Sequence, residues 1–310
     1  MNLMNGFSPC DGLELRDPGF IEGYAGPLLE LFSTHYFRTS FAGVENVPKD
    51  GPFVAVANHG GGPLLPDVLM MVARWWKLFG VEKPAYAMVH DAAFKVPGLR
   101  DLLFRVGGIP ASRENATGVL DMGGTLLAFP GGELEAQRSF RERNTIDFRG
   151  RTGFIEVALE YGAPILPVVN VGGHEVYFTL FSSRLLAEIT GFRALTGLKT
   201  LTANVGLPWG LWPTSLLPYL PLPAKFTYRV GKPIQVPKDP ALANDREYVG
   251  KLYDEITGTM QTMVDELAAE RQGQFWANAR SHFRPSAPAP TTSQGSRPGQ
   301  PPPDVRPADA

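Results

Sequence analysis

The sequence is nearly free of cysteine, since Cys10 is the single cysteine among 310 residues. One thiol excludes an internal disulfide and a metal site built from several thiolates of one chain. A reducing, cytoplasmic setting is compatible with this. The histidine and carboxylate residues also lack the spacings of zinc sites, so we expect no bound metal.

Long apolar runs are missing as well. No stretch reaches the roughly 18 consecutive apolar residues of a membrane-spanning helix, and residues 1–17 lack the basic start and apolar centre of a secretory signal. The formal net charge of −2 argues against nucleic-acid binding through bulk charge. With 44% hydrophobic and 19% charged residues, the composition is that of a globular protein with a large core.

Composition divides the chain into three parts. Residues 1–35 form an N-terminal segment that enters a predicted helix over 20–37, and residues 36–273 are predicted to form the main α/β domain. Residues 284–310 contain eight prolines and no aromatic residue, so we predict a disordered tail.

Short apolar runs alternate with helical patterns in the central part. Strands are predicted at 53–56, 85–89, 126–129 and 165–169, and helices at 63–79, 99–106, 115–122, 153–161 and 245–272. This alternation predicts an α/β fold with substantial parallel pairing. In such sheets, ligands bind beyond the carboxyl ends of the strands.

Residues 57–67, Ala-Asn-His-Gly-Gly-Gly-Pro-Leu-Leu-Pro-Asp, follow the first predicted strand. A carboxylate able to orient the imidazole would make His59 a general base, with Asp67 in the orienting role. The plainer interpretation is a glycine-rich helix entry. His90 with Asp91 is a weaker rival pair, because adjacent side chains diverge.

Three later segments carry further features. Residues 107–115 place Arg113 near a predicted helix start, where a cation and backbone N–H groups can hold an anion. Residues 129–135, Phe-Pro-Gly-Gly-Glu-Leu-Glu, end a strand with glycines that allow close backbone approach to a ligand. Residues 163–168 are an apolar strand between prolines. Each segment alone has an ordinary structural explanation.

Taken in order, the four segments resemble the sequence blocks of the glycerolipid and lysophospholipid acyltransferase superfamily, of the acylglycerol-phosphate acyltransferase type. The similarity runs from about residue 36 to residue 268. It implies a central mixed, largely parallel sheet flanked by helices. It also implies an O-acyltransferase that moves a fatty acyl group from acyl-CoA or acyl carrier protein to a hydroxyl of a glycerolipid or lysophospholipid, with no further cofactor.

The resemblance implies roles for individual residues. His59 takes the acceptor proton and Asp67 orients its ring. Arg113 holds a phosphate of the acceptor. The remaining substrate-binding positions are Asn58, Gly131, Gly132, Glu133 and Glu135.

Two departures from the usual blocks change these expectations. Seven residues, 60–66, separate His59 from Asp67 where four are usual, so the two can meet only if this loop bulges. Gly131 stands where a glutamate usually follows the proline, and Glu133 or Glu135 could replace it. The Pro-Gly-Gly form is similar to that of neutral-acylglycerol acyltransferases, so the acceptor could be a mono- or diacylglycerol.

Two further segments keep two interpretations each. Arg138, Arg141 and Arg143 belong to segment 138–151, whose five arginines, offset by Glu142 and Asp147, leave a local charge of about +3. This segment is either a solvated loop or binds coenzyme A phosphates or anionic headgroups. Residues 200–224 carry no charge but five prolines, and include Trp209, Trp212 and Tyr219. They either cover the core or lie at a membrane interface.

Three classes of function follow. The leading one is an O-acyltransferase of lipid metabolism and phospholipid biosynthesis, cytoplasmic and peripheral on the inner face of a membrane. A hydrolase using the same histidine is the second, although no G-x-S-x-G elbow is present. The third is a non-catalytic lipid-binding or membrane-remodelling relative.

Overall fold

The computed structural model describes residues 12–213 and 219–282. Residues Met1–Arg271 make up one compact unit and Gln272–Ala310 a second, of which the described part is the end of a helix. Residues 284–310, predicted to be disordered, lie outside the described residues.

The described residues contain ten strands in two sheets. The bounds are β1 Ser40–Ala42, β2 Phe53–Ala57, β3 Ala85–Val89, β4 Gly108–Pro110, β5 Thr125–Ala128, β6 Ile165–Val171, β7 Phe178–Ser183, β8 Leu201–Gly206, β9 Gly210–Pro213 and β10 Thr227–Val230. The larger sheet has the order β1-β10-β6-β2-β5-β3-β4, and the smaller one has the order β7-β8-β9.

Pairing in the larger sheet is mostly parallel. Strands β6, β2, β5, β3 and β4 run parallel to one another, whereas β10 runs antiparallel to β6 and parallel to β1. This confirms the predicted mixed, largely parallel sheet. The smaller sheet is antiparallel throughout and was not predicted.

Along the chain, helices connect the strands of the larger sheet. The α-helical bounds are α1 Pro18–Phe20, α2 Gly26–Leu31, α3 Pro66–Phe79, α4 Leu99–Arg105, α5 Arg113–Asp121, α6 Gly132–Ala136, α7 Gly153–Tyr161, α8 Gly173–Val176, α9 Arg184–Ile189, α10 Phe192–Thr196 and α11 Arg246–His282. π-Helical segments Ile21–Ala25 and Phe32–Tyr36 extend α1 and α2, and 3-10 segments lie at Val44–Asn46, Asp91–Lys95, Phe140–Glu142 and Leu242–Asn244. None of these described helices has both the length and the apolar character needed to cross a bilayer.

Apolar side chains cover both faces of the larger sheet, as the uninterrupted hydrophobic strands require. On β2, Val54 and Val56 point into a core that includes residues of α5, α7 and α11. Phe53 and Ala55 point into the opposite core, which includes Trp75 of α3. Both sides of β2 are therefore buried, and the polar residues Asn58 and His59 follow at its carboxyl end.

Candidate active site

Three segments meet at the carboxyl ends of β2, β5 and β6. His59 follows β2, and its ring centroid lies 5.4 Å from that of Phe129, which follows β5. Asn58 bonds to Asn170 near the end of β6. The sheet therefore brings together segments that are more than a hundred residues apart in sequence, at the edge where ligands of parallel sheets bind.

His59 and Asp67 form a buried pair. His59 Nδ1 lies 2.7 Å from Asp67 Oδ2, and the backbone N–H of Gly60 donates to the same oxygen at 2.8 Å. Because a carboxylate only accepts, Nδ1 carries the proton in this bond and Nε2 is the nitrogen left to accept another. The pair meets the geometric condition for a base with its orienting carboxylate.

The long loop between His59 and Asp67 folds back on itself. Gly61 and Gly62 have φ of +99° and +74°, and Leu65 has φ of +52°. The N–H of Gly62 donates to the carbonyl of Ala136 at 3.1 Å. These left-handed residues delay the start of α3 from the predicted Pro63 to Pro66, which brings Asp67 in the first turn back towards the imidazole.

Two tyrosines near the smaller sheet hold this loop. The Tyr219 hydroxyl donates to the carbonyl of Gly61 and accepts from the N–H of Leu64 at 3.4 Å. The Tyr177 ring packs on Gly62 so closely that a Cβ there would lie 2.5 Å from the ring. The extra residues of the loop are thus fixed by aromatic contacts.

Glu135 supports His59 from the β5 side. Its Oε2 accepts the backbone N–H of His59 at 3.1 Å, and the residue is only 1% exposed. A Cβ at Gly131 would lie 1.9 Å from that same Oε2. Gly131 therefore vacates the space that the Glu135 carboxylate fills, and of the two candidate glutamates it is Glu135 that reaches the pair.

The electrostatics of the site are set by this cluster. Burial raises the pKa of Glu135 to about 8, against the opposing charges of Arg138 and His59. Burial by itself would lower the pKa of His59, but the charge of Asp67 and the hydrogen bond to it, aided by Glu135, outweigh burial and leave that pKa raised. Asp67 therefore stabilises the imidazolium that forms when His59 accepts a proton.

His174 is a second buried histidine beside the loop. A Cβ at Gly60 would lie 3.0 Å from its ring. Burial, together with the charges of Arg138 and His59, lowers the pKa of His174 to about 3. His174 is therefore neutral at physiological pH, while a hydrogen bond to the His59 backbone works in the opposite direction on its pKa.

Arg138 lies inside the protein. Its side chain is 5% exposed, donates to the carbonyl of Thr145, and lies 3.9 Å from Glu135 Oε1. This burial places the guanidinium beside the Glu135 carboxyl group and leaves no surface for a soluble coenzyme A phosphate. The predicted phosphate contact of Arg138 is accordingly replaced by an internal contact.

Asn58 is also engaged within the protein. Its amide donates to the carbonyl of Asn170 at 3.0 Å and accepts the N–H of Asn170 at 2.7 Å. Asn170 returns a hydrogen bond to the Asn58 carbonyl at 2.9 Å. This reciprocal pair joins β2 and β6 next to His59, so Asn58 fixes the backbone that carries the histidine instead of facing an open substrate site.

The turn after β5 is closed by its own contacts. The N–H of Gly132, a residue predicted to allow close approach to a ligand, donates to the Phe129 carbonyl at 3.0 Å. Arg151 donates to the Pro130 carbonyl at 2.5 Å. A Cβ at Gly132 would lie 2.8 Å from the Arg151 guanidinium. Gly132 therefore shapes the turn.

The other predicted site residues lie in different surroundings. Arg113 begins α5, pairs with Glu160, and lies 3.6 Å from Glu156 of α7. Glu133 accepts the N–H of Lys199 at 2.9 Å. Arg141 is exposed, and the Arg143 guanidinium lies 4.3 Å from the centroid of Phe140. Among the contacts of the described residues, none joins these four side chains to His59 or Asp67.

Three contributors to the site were not predicted from the sequence. Asn170 is a polar residue inside a buried strand, which is a usable signal. Tyr219 and Tyr228 give none, although the Tyr228 hydroxyl donates to the Asp67 carbonyl at 2.6 Å. Both tyrosines reach the site through the tertiary fold alone.

Comparison with known proteins identifies the family. The family model described as diacylglycerol acyltransferase matches residues 76–269, well over half of the chain. The chain belongs to the diacylglycerol acyltransferase family. This confirms the predicted resemblance to the glycerolipid acyltransferase superfamily and makes the chain an acyltransferase of that kind. The match includes Glu135 and begins after His59 and Asp67.

Relatives extend the similarity across most of the chain. An uncharacterized protein of Mycobacterium tuberculosis is 30% identical over 264 residues, which cover 84% of this chain and 70% of that protein. Phytyl ester synthase 1, chloroplastic, of Arabidopsis thaliana is 26% identical over 267 residues, covering 82% of this chain and 37% of that protein.

A solved structure is similar as well. The crystal structure of the 1-acyl-sn-glycerophosphate acyltransferase PlsC of Thermotoga maritima has 21% sequence identity and a TM-score of 0.49. The similarity covers 82% of this chain and 84% of that chain.

Proposed function

We propose that the chain transfers a fatty acyl group from acyl-CoA or acyl carrier protein to a hydroxyl of an uncharged lipid, with His59 as the general base. The observation that carries this proposal is the 2.7 Å contact between His59 Nδ1 and Asp67 Oδ2. It leaves Nε2 of the neutral ring as the proton acceptor.

The reaction balances with these two residues. The acceptor hydroxyl gives its proton to His59 Nε2 while its oxygen forms a bond to the thioester carbonyl carbon. Asp67 stabilises the imidazolium. When the tetrahedral intermediate collapses, the carbon–sulfur bond breaks and the thiolate takes the proton from His59. No acyl-enzyme is needed.

We choose an uncharged acceptor because the candidate phosphate-binding arginines already have partners within the protein. A phosphate-bearing acceptor requires a cation that can turn towards it. Arg113, the predicted phosphate ligand, is paired with Glu160, and Arg138 is buried beside Glu135. The names of the matched family and of the Arabidopsis relative refer to diacylglycerol and to phytyl esters. These point to alcohols without phosphate.

A phosphate-bearing acceptor is the second candidate. Arg113 is exposed on about half of its side chain, so its ion pair with Glu160 is open to exchange. Lysophosphatidic acid or a lysophospholipid would then compete with Glu160 for the guanidinium. A peripheral position on the cytoplasmic face of a membrane remains part of the proposal in either case.

Acyl transfer to parallel acceptors tests the proposal. Radiolabelled acyl-CoA is supplied with diacylglycerol, a long-chain alcohol, lysophospholipid or lysophosphatidic acid, and the products are identified. We expect esters of the uncharged acceptors, with the Arg113→Gln variant as active as wild type. Selective loss of transfer to lysophosphatidic acid in that variant would favour the second candidate. Release of free fatty acid regardless of acceptor would contradict both.

A further inference from the structure

The smaller sheet is built with polar side chains inside. Thr179, Thr202 and Asn204 are 1%, 2% and 0% exposed. They bond to one another, with Thr179 Oγ1 and Asn204 Oδ1 3.2 Å apart and Asn204 Nδ2 donating to Thr202 Oγ1 at 2.9 Å. An antiparallel sheet with one solvated face normally shows the opposite pattern.

The outward face of the same sheet is apolar. Val205 lies opposite Phe178 on one side and Leu211 on the other, and the next pair on this face joins Ala203 to Phe181. Directly paired residues project to the same side of a sheet. Phe181, Val205 and Leu211 are 44%, 38% and 69% exposed. We call this surface the outer face.

Apolar exposure continues around the outer face. Half of the large exposed hydrophobic side chains of the described residues fall between positions 180 and 220. They include Ile189 at 71% on α9 and Trp209 at 50% in the β8–β9 turn. Such a concentration of exposed apolar side chains on one sheet and its neighbouring segments is typical of an interaction site.

Cations border the outer face. The Phe140 ring stacks on Phe178 at 3.9 Å between centroids, and the Arg143 guanidinium lies over Phe140. At the opposite end Leu201 pairs with Ser183, so Lys199 and Arg184 lie just beyond the sheet. The acidic Glu188 of α9 is paired with Arg193 at 2.9 Å. An apolar centre with a basic border complements a surface that is apolar inside and anionic outside.

We propose that the outer face of β7–β8–β9 docks on the interface of an anionic lipid bilayer. The proposal extends the proposed function, because a lipid acceptor resides in such a bilayer. A second copy of this chain fits less well, since a symmetric contact would bring the Arg143, Arg184 and Lys199 borders of two copies together. An exposed tryptophan next to the apolar face is typical of the bilayer interface.

Vesicle sedimentation of the full chain tests the docking face. The variant carries Phe181→Thr, Val205→Thr and Leu211→Thr, which keep strand propensity and remove apolar area. A matched control carries Leu78→Gln, Leu102→Gln and Met122→Gln, at positions 40%, 45% and 47% exposed outside this sheet. With mixed phosphatidylglycerol and phosphatidylcholine vesicles, we expect the partition coefficient to fall on the order of 30-fold in the variant and to stay unchanged in the control.

A second measurement avoids any folding defect of the triple variant. Brominated phospholipids quench tryptophans that enter the interface, so vesicles containing them are expected to quench wild-type fluorescence. The quenched component is expected to disappear in Trp209→Phe. Circular dichroism and light scattering show whether each variant is folded and monomeric.

The outcomes separate docking from catalysis. His59→Gln is expected to sediment with vesicles as wild type does, whatever its activity, so failure of the proposed chemistry leaves docking intact. Equal partitioning of wild type and the triple variant would overturn the docking proposal. So would unquenched Trp209, or a dimer that the triple substitution converts to monomer without any vesicle binding.

Discussion

The carboxylate of Glu135 accepts the backbone N–H of His59 at 3.1 Å, in space left by Gly131. A residue that follows β5 thus fixes the backbone of a residue that follows β2. Asp67 holds the side chain of His59, and Glu135 holds its backbone. The position of His59 therefore depends on the turn that follows β5.

Glu135 is expected to act through its acceptor oxygen. Glu135→Gln keeps an oxygen for the His59 N–H, whereas Glu135→Ala leaves that buried donor unpaired, at a cost of about 1–3 kcal/mol. Urea unfolding should show Glu135→Ala less stable than Glu135→Gln by that amount, with a parallel loss of acyl transfer. Equal stability of the two variants would remove this role.

The buried ionisable groups predict that the free energy of unfolding falls as pH rises from about 6.5 to about 8. Folded Glu135 keeps its proton up to about pH 8, while the unfolded chain releases it near 4.5, so stability is lost as pH rises through this range. His59, with its raised pKa, contributes in the same direction. His174 contributes oppositely, but only between about pH 3 and 6.5.

Between pH 6.5 and 8 the loss of folding stability caused by Glu135 is therefore free of the opposing contribution of His174. The free energy of unfolding of wild type is expected to fall by at least about 1 kcal/mol across it, and Glu135→Gln is expected to show a smaller slope. Denaturant titrations at a series of pH values measure both. A wild-type stability that stays constant or rises across this window would contradict a protonated Glu135 in the folded chain.

Gly131 is expected to tolerate no side chain. A methyl group there would overlap the Glu135 carboxylate at 1.9 Å, so Gly131→Ala should displace Glu135 and destabilise the fold by about 1–3 kcal/mol. Gly153→Ala is the matched control, because no atom lies within 4 Å of its added Cβ. Thermal unfolding compares them, and a Gly131→Ala protein as stable and active as the control would refute the packing argument.

Tyr219 is expected to affect activity more than stability. Tyr219→Phe removes the hydroxyl that bonds to Gly61 and Leu64, which frees the loop preceding Asp67. Tyr86→Phe removes a comparable buried hydroxyl bond, to Leu13 at 2.8 Å, away from the loop. Both should lose about 1 kcal/mol of stability.

Only the Tyr219 variant is expected to lose acyl transfer, by about tenfold in kcat. Steady-state kinetics with a saturating acceptor separate kcat from KM for the two variants. If Tyr86→Phe loses as much activity as Tyr219→Phe, the loop is not what Tyr219 controls.

Much of the larger sheet was predictable from local patterns. The strand over 85–89 and the helix over 153–161 match their predicted bounds, because apolar periodicity and flanking glycines fix such elements locally. The smaller sheet was not predictable. Its outward side chains are apolar and its inward ones polar, so the pattern that usually identifies a half-buried strand is inverted in β8.

The site was predictable only in part. Order and spacing of motifs pointed to His59, Asp67 and the β5 turn, and the structure brings His59 Nδ1 to 2.7 Å from Asp67 Oδ2. Motif order and spacing could not show whether Glu133 or Glu135 reaches the His59–Asp67 pair, because that depends on the direction of a helical turn. They also suggested ligand contacts for Asn58 and Arg138, whose partners Asn170 and Thr145 become visible only in the folded chain.

Acyl transfer by His59→Gln, compared with Asp67→Asn and wild type, shows whether His59 is the general base. Glutamine lacks a titrating nitrogen, and loss of a general base of this kind lowers kcat by about a hundredfold to ten-thousandfold. The acyl-transfer rate of Asp67→Asn should also fall, because the carboxylate that orients and stabilises the imidazolium is gone. Initial rates with radiolabelled acyl-CoA and the best acceptor give the comparison. We predict a loss of at least about a hundredfold in His59→Gln with the fold intact, and wild-type rates in that variant would contradict the account.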